Sequence, residues 1–453
     1  MHNLKFPLDL GTLKENDVYD LKDKIPDDFF KIEHYNDIAF VIQDHLYKAF
    51  DQCNHLLINK NSNKYNNLIA LFYHHINALL CSYYYCISEL QEIKKHHSNI
   101  FFTNQQKEWS ISYSQISSKN FNHIKPKISS RTRIRDLINY INTPSINKNN
   151  SNVFIYPGIS INIKIITEAL KSDNIQVFKN KNIFSDKVCI DFVEKQFIIL
   201  EKAIEKISKQ LKTLSTEDSL TEKELFQIIV DKIKRHISTK EKKYDFDLVI
   251  MDSLGDLGSR KIAMQCKLQN IPVIGICHGE SSGIMDEPVF GPVELTYCNY
   301  YIGYGKRGCN SLKNGIYTKS LFDDEIEIIP SNSNKVLNIY EDDQIGEIAN
   351  FHTKNIMYVP TSFTGTARYG PFRDIHDFAY LSWQNDLLQA IESELNPLKI
   401  LLKYHPKDNW NFYLNTNGME IIKDGEFVNL IDKADIFVFD FAGSAFSLRQ
   451  AQT

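Results

Sequence analysis

The stretch LKILLKYHPKDNW, Leu398 to Trp410, ends an apolar run with a His-Pro pair flanked by lysines. A histidine at a strand exit can donate a hydrogen bond to a phosphate oxygen. The proline fixes its own φ and restricts the residue before it, so the His405 imidazole is held in place. Lys403 and Lys407 add positive charge beside it. The same residues would also serve as a turn cap with no ligand. Four further stretches place a chemically able loop after an apolar run. DFAGSAF, Asp440 to Phe446, offers an anion such as a diphosphate the Ser444 hydroxyl and the backbone N–H groups around Gly443, or simply caps a helix. PTSFTG, Pro360 to Gly365, supplies the hydroxyls of Thr361, Ser362 and Thr364, which either hold a phosphate or shape the loop. CHGESSG, Cys277 to Gly283, puts the imidazole of His278 and the carboxylate of Glu280 at one exit, with Gly279 and Gly283 letting a ligand approach the backbone. This is the best place for acid–base work, set against a His–Glu pair with no reaction to perform. MDSLGDLGSR, Met251 to Arg260, brings Asp252 as a second candidate base, with Ser253 and Asp256 on the same side, although carboxylates that end parallel strands are often helix caps.

Elements that could position these loops follow from periodicity. Residues 30 to 95 hold two long segments of helical period with few breakers, predicting an α-helical N-terminal region over 1–145. Tyr83, Tyr84 and Tyr85 fall in it and read as core or interface. NTPSINKNNSN, Asn142 to Asn152, is polar and aperiodic, as a linker is. Beyond it, short apolar runs alternate with amphipathic segments, the pattern of a parallel sheet covered by helices. One set lies at 152–158, 174–179, 246–253, 271–280, 300–305 and 325–331. The second set lies at 355–365, 398–406, 419–425 and 434–446, after a polar crossing near 335–354. The expected fold is α/β, with a first Rossmann-like lobe over 150–335 and a second over 350–453. In open parallel sheets ligands bind beyond the carboxyl ends of the strands, so the five loops are expected at one cleft.

A chain of 453 residues exceeds one ordinary core and predicts two or three domains. With 43% hydrophobic and 24% charged residues it belongs with globular proteins and not with disordered or collagen-like chains. A net charge of −4 argues against binding nucleic acid by bulk charge, and no basic stripe stands out. The lysine-rich segment from Lys202 to Lys243 is interleaved with acids and reads as solvated helix faces. Eight cysteines without a CxxC pair predict reduced, mostly buried thiols of a cytoplasmic protein. The N-terminus lacks the basic start and apolar core of a signal peptide. Asn67 to Ile87, the most apolar long segment, contains two His and two Asn residues and reads as a buried or interface helix, not a membrane span. Membrane association would have to come peripherally, through a partner or a basic patch, because no lipid-anchor signal is present.

In order and content these stretches resemble the GT-B transferases of bacterial surface and capsular polysaccharide. That group includes the CDP-glycerol glycerophosphotransferases and the Kdo and sialic acid transferases that use CMP-activated donors. The likeness runs over 150–446 and is strongest over 355–446: a His-Gly loop late in the first lobe, then YVPTSF, KYHP and ADIFVFDFAGSA. The resemblance implies a nucleotide-activated sugar donor and a glycan or lipid-linked acceptor. It implies that His405 touches the donor phosphate, that Ser444 with Thr361 or Ser362 holds the nucleotide phosphates, and that Glu280, or as second choice Asp252, deprotonates the acceptor hydroxyl. It also implies chemistry without a metal or other cofactor, in keeping with the absence of a well-placed DxD motif. The Asp pairs at 323–324 and 342–343 lie in polar connecting segments and read as solvated. A second lobe of this group normally continues past the Gly-Ser-Ala loop, whereas here SLRQAQT follows, so the lobe is expected to be truncated. Two other classes remain open: a nucleotide-sugar epimerase or hydrolase of the same architecture, which needs no acceptor, and an inactive scaffold whose helical region binds a partner.

Overall fold

The structure is a computed structural model, and it describes residues 6–7, 35–96, 100–101, 152–156, 166–167, 170, 176–178, 187–214, 219–238, 243–277, 290–315, 319–322, 324–331, 353–360, 377–403, 418–422 and 427–440. A short strand β1 (Phe6–Pro7) pairs in parallel with β2 (Ile100–Phe101). Between them lie two long helices, α1 (Tyr35–Asn59) and α2 (Leu68–His96), as the periodicity predicts. Their join is made by asparagines. Asn63 accepts the Tyr65 N–H at 3.0 Å, and Asn67 accepts the Ala70 N–H at 3.2 Å while donating to the Phe50 carbonyl at 3.0 Å. Short polar side chains that bond local backbone suit helix starts, which is why α2 begins at this asparagine.

Helix α2 is apolar around nearly its whole circumference, and a helix of that kind must be covered on all sides. It packs on α1, on α3 (Val193–Gln210) and on α5 (Leu257–Leu268). Tyr83 and Tyr84 are buried; their hydroxyls meet the Leu220 carbonyl at 3.1 Å and Ser208 at 2.9 Å. The segment from Asn67 to Ile87 is thus a buried helix, and among the described residues no helix is long and apolar enough to cross a membrane. Gln196 of α3, fully buried, donates to the Asn66 and Asp191 carbonyls at 3.0 and 2.8 Å and accepts the Leu68 N–H at 2.8 Å. The α-helical region therefore shares one hydrophobic core with α3, α5 and the first sheet, running from Ile42 and Phe72 through Leu200 and Ile204 to Phe154 and Val249.

That sheet comprises β3 (Asn152–Ile155), β4 (Gln176–Phe178), β5 (Leu248–Met251), β6 (Val273–Ile276), β7 (Tyr300–Tyr304) and β8 (Glu327–Ser331). Its order is β4-β3-β5-β6-β7-β8, with every pairing parallel. Helices α3, α4 (Glu222–Lys234) and α5 and the short α6 (Gly305–Asn314) occur in its crossings. On α3 and α4, Lys202, Lys206, Lys209, Lys223 and Lys234 are exposed while Leu200, Ile204, Ile207 and Ile229 are buried, so the lysine-rich segment does present solvated faces. Thr221 and Glu224 form a reciprocal capping box that starts α4. The second sheet has four strands, β9 (Asn355–Val359), β10 (Lys399–Lys403), β11 (Glu420–Ile422) and β12 (Ile436–Phe439), all parallel in the order β11-β10-β9-β12, with α7 (Asp377–Ala390) between β9 and β10. Strands covered on both faces read as continuous apolar runs, which is why each run marked in the sequence holds a strand.

Two local features depart from expectation. Asp324 is not solvated: it is 17% exposed, salt-bridged to Lys64, bonded by the Tyr65 hydroxyl at 2.7 Å, and 3.7 Å from the buried Lys267. Burial alone would raise its pKa, but the hydrogen bonds of Lys64 and Tyr65 and the charges of Lys64 and Lys267 outweigh that and hold the carboxyl below its usual range. Asp323, the pair at 342–343, the linker residues 142–151 and most of the crossing near 335–354 lie outside the described residues. The second feature is a π-helical turn, Gly291–Leu295, packed on α2. A Cβ at Gly291 would stand 2.2 Å from the Lys319 carbonyl oxygen and 2.6 Å from its nitrogen. Backbone cannot step aside as a flexible side chain can. Gly291→Ala should therefore lower stability by about 1–3 kcal/mol, the usual cost of overpacking, read as a lower urea midpoint at unchanged slope.

Candidate functional site

In a parallel sheet the crevice for a ligand opens where consecutive connections leave in opposite directions. In the first sheet the chain goes from β3 to β4 on one side and then returns to β5 on the other, so that point lies between β3 and β5. Tyr156 leaves β3 there, its N–H still bonded to the Ile250 carbonyl at 2.8 Å. The Tyr156 hydroxyl donates to Asp256 Oδ1 at 3.2 Å, and the same oxygen caps α5 by accepting the Ser259 N–H at 3.0 Å. Gly258 makes room for this pair: a Cβ there would sit 2.9 Å from the Asp256 oxygen and 2.9 Å from the Tyr156 oxygen. Burial and the Asp256 charge push the Tyr156 hydroxyl up, so it remains a proton-bearing donor at neutral pH.

Asp252, the second candidate base, directly follows β5 and is 5% exposed. Its neighbours are held from behind. Glu294, in the π-helical turn, accepts the Ser253 hydroxyl at 2.8 Å and the Leu254 N–H at 3.0 Å, and Ser253 Oγ in turn accepts the Gly255 N–H at 3.0 Å. Ser253 is thereby committed to shaping the loop, and Asp256 to capping a helix. At the next exit the buried Cys277 closes β6 with its N–H on the Ile302 carbonyl at 2.8 Å. The pairing of Met251 with Gly275 sets the β5 and β6 exits side by side. His278, Gly279, Glu280 and Gly283 lie outside the described residues.

The second sheet has its own point of reversal, between β9 and β12. Asp440, the first residue past β12, accepts the Tyr358 hydroxyl at 2.7 Å and the amide of the fully buried Gln384 at 3.0 Å. Tyr358 pairs with Leu402 on one side and Val438 on the other, so β10, β9 and β12 end at one level. Pro360 and Lys403 are buried at the exits of β9 and β10. Thr361, Ser362, Thr364, His405, Pro406, Lys407, Gly443 and Ser444, the residues expected to hold phosphate, lie outside the described residues.

Among the described residues no group of three or more His, Cys, Asp or Glu side chains is arranged to hold a metal ion, and the cysteines described are free and mostly buried. No family model, curated protein or solved structure matches the chain. Function must be read from the two points of reversal and the segments that leave them. Tyr156 and Glu294 were not legible as site residues. Tyr156 sits inside the apolar run NVFIYPG, where only its place at the strand exit distinguishes it. Glu294 follows no strand at all and reaches the β5 loop through tertiary packing.

Proposed function

We propose that the chain is a GT-B type transferase that moves a sugar or glycerophosphate unit from a CMP- or CDP-linked donor to a surface or capsular polysaccharide acceptor in the cytoplasm. One observation carries this reading. Strands β10, β9 and β12 are adjacent, parallel and level at their carboxyl ends, so the segments YHPK, PTSFTG and DFAGSA all start from one edge beside a point of reversal. Loops gathered there suit a nucleotide diphosphate. In this proposal His405, with the hydroxyls of Ser444, Thr361 and Ser362 and the N–H groups near Gly443, stabilises charge as it builds on the departing nucleotide. Lys403, buried at the end of β10, adds positive potential to that edge. Glu280 accepts the proton of the acceptor hydroxyl, with His278 beside it and Asp252 as the alternative base.

A thermal-shift series with CMP, CDP, UDP and GDP tests the donor half. A ligand that binds only the folded state stabilises it by about 2.7 kcal/mol at a hundredfold excess over Kd. The expected result is a shift with a cytidine nucleotide that is lost in His405→Ala. If none of the four shifts the wild type, the transferase reading is abandoned. Turnover of a nucleotide sugar without any acceptor would move the protein to the epimerase or hydrolase class.

A further inference from the structure

We infer that Glu294 is a positioning residue for the first sheet's crevice, holding the loop 252–255 so that Asp252 and its neighbours keep one conformation at the β5 exit. The carboxylate is 7% exposed and spans two groups of that loop, the Ser253 hydroxyl and the Leu254 N–H. The three residues before it in the π turn are themselves held. Arg260, fully buried, donates through Nη1 to the carbonyls of Pro292 at 3.2 Å and Val293 at 2.5 Å. Thr296 Oγ1 donates to the Pro292 carbonyl at 2.7 Å, and the Lys319 backbone closes against Gly291. A π turn forfeits the regular i→i+4 ladder, and single turns of this kind are frequent at functional sites. Here Arg260 and Thr296 bond carbonyls of the turn, and the Glu294 side chain reaches the β5 loop. The same guanidinium also bonds the carbonyls of Ala70 and Leu71 in α2, so the α-helical region reaches the crevice through Arg260, the π turn and Glu294. The hold on the loop stands by itself; the effect on turnover rests on the transferase reading.

The test uses the full chain with Glu294→Gln, which keeps the volume but not the charge or the second acceptor oxygen. Amide hydrogen exchange should speed up at least tenfold at Leu254 and Gly255, with the amides of β5 and β6 unchanged. Glu294→Asp keeps the charge but is one methylene short, and should behave like Gln. Should Glu294→Gln not fold, Glu294→Asp carries the same test, with Leu254 and Gly255 each losing at least tenfold in protection. With a cytidine sugar donor, kcat/KM for the acceptor should fall at least tenfold, while the nucleotide thermal shift stays as in the wild type. Unchanged exchange at Leu254 and Gly255, or full recovery in Glu294→Asp, overturns the positioning role. A wild type that binds no nucleotide overturns the transferase reading instead and leaves the exchange result to decide the hold on the loop.

Discussion

Replacing Arg260 by methionine should destabilise the protein by about 3–5 kcal/mol, on the scale of losing one partner from a buried charged network. The side chain is fully buried and serves four backbone carbonyls on two elements, Leu71 at 3.0 Å, Ala70, Pro292 and Val293, with its guanidinium carbon 5.5 Å from the Tyr297 ring centroid. A buried charge is costly, and an entire buried ion network exchanged for apolar side chains is often tolerated. That exchange is not open here, because the acceptors are main-chain oxygens that no substitution removes. Left without the donor, each loses a hydrogen bond in a site closed to water, at about 1–3 kcal/mol apiece where no second donor remains. Arg260→Lys should recover less than half of the loss, since one ammonium cannot span α2 and the π turn as a planar fork does. Urea midpoints at constant slope measure both. A methionine variant within about 0.5 kcal/mol of wild type would show that the carbonyls find other donors and that α2 does not depend on this anchor.

The second large effect is acid destabilisation through His75 of α2. Burial, and then the charges of Arg260, His236 and Lys261, push its pKa down to about 3. The folded state therefore keeps this imidazole neutral, while the unfolded chain takes up a proton near the ordinary value of about 6.5. The unfolded state binds more protons throughout that interval, so stability is fully present above about pH 6.5 and is lost as pH falls from there toward 3. Between pH 7 and pH 5 the loss should be about 2 kcal/mol, from roughly one and a half pKa units at 1.36 kcal/mol each. Asp324 acts in the same direction, because its pKa is lowered, but its contribution is lost only at and below the ordinary carboxylate range. The window from pH 5 to 6.5 thus separates the histidine from Asp324. Unfolding free energies measured at pH 7 and 5 should differ by about 2 kcal/mol less in His75→Leu than in the wild type. Equal pH slopes in the two proteins would locate the acid sensitivity elsewhere.

These two residues also mark the boundary of what a linear reading can supply. The strands were legible because parallel strands are buried on both faces: VFI, LVIM, VIGI, NIMYV, KILLK and IFVF are unbroken or nearly unbroken apolar runs, and a local pattern is enough to find them. Where the chain leaves each strand follows from the same pattern, since whatever comes after a parallel strand starts at its carboxyl end. Helix α2 was recognised as buried and not membrane-spanning from its asparagines and histidines, which turn out to sit at the α2 start and in its packed interior. Asp324 went the other way: a polar neighbourhood in sequence suggested solvent, while Lys64 and Lys267, hundreds or tens of residues away, enclose it.

The α/β class, the N-terminal helices and the strands could be read along the chain, because each depends on periodicity within a few residues. The order of the strands, and with it where the two reversals fall, comes from packing between distant elements. That packing also joined Tyr156 to Asp256, brought Asp440 under Tyr358 and Gln384, and set Glu294 and Arg260 behind the β5 loop. Contacts such as Arg260 to Ala70, across 190 positions, leave no periodic trace in the chain, because they arise when separate elements bury their faces against one another.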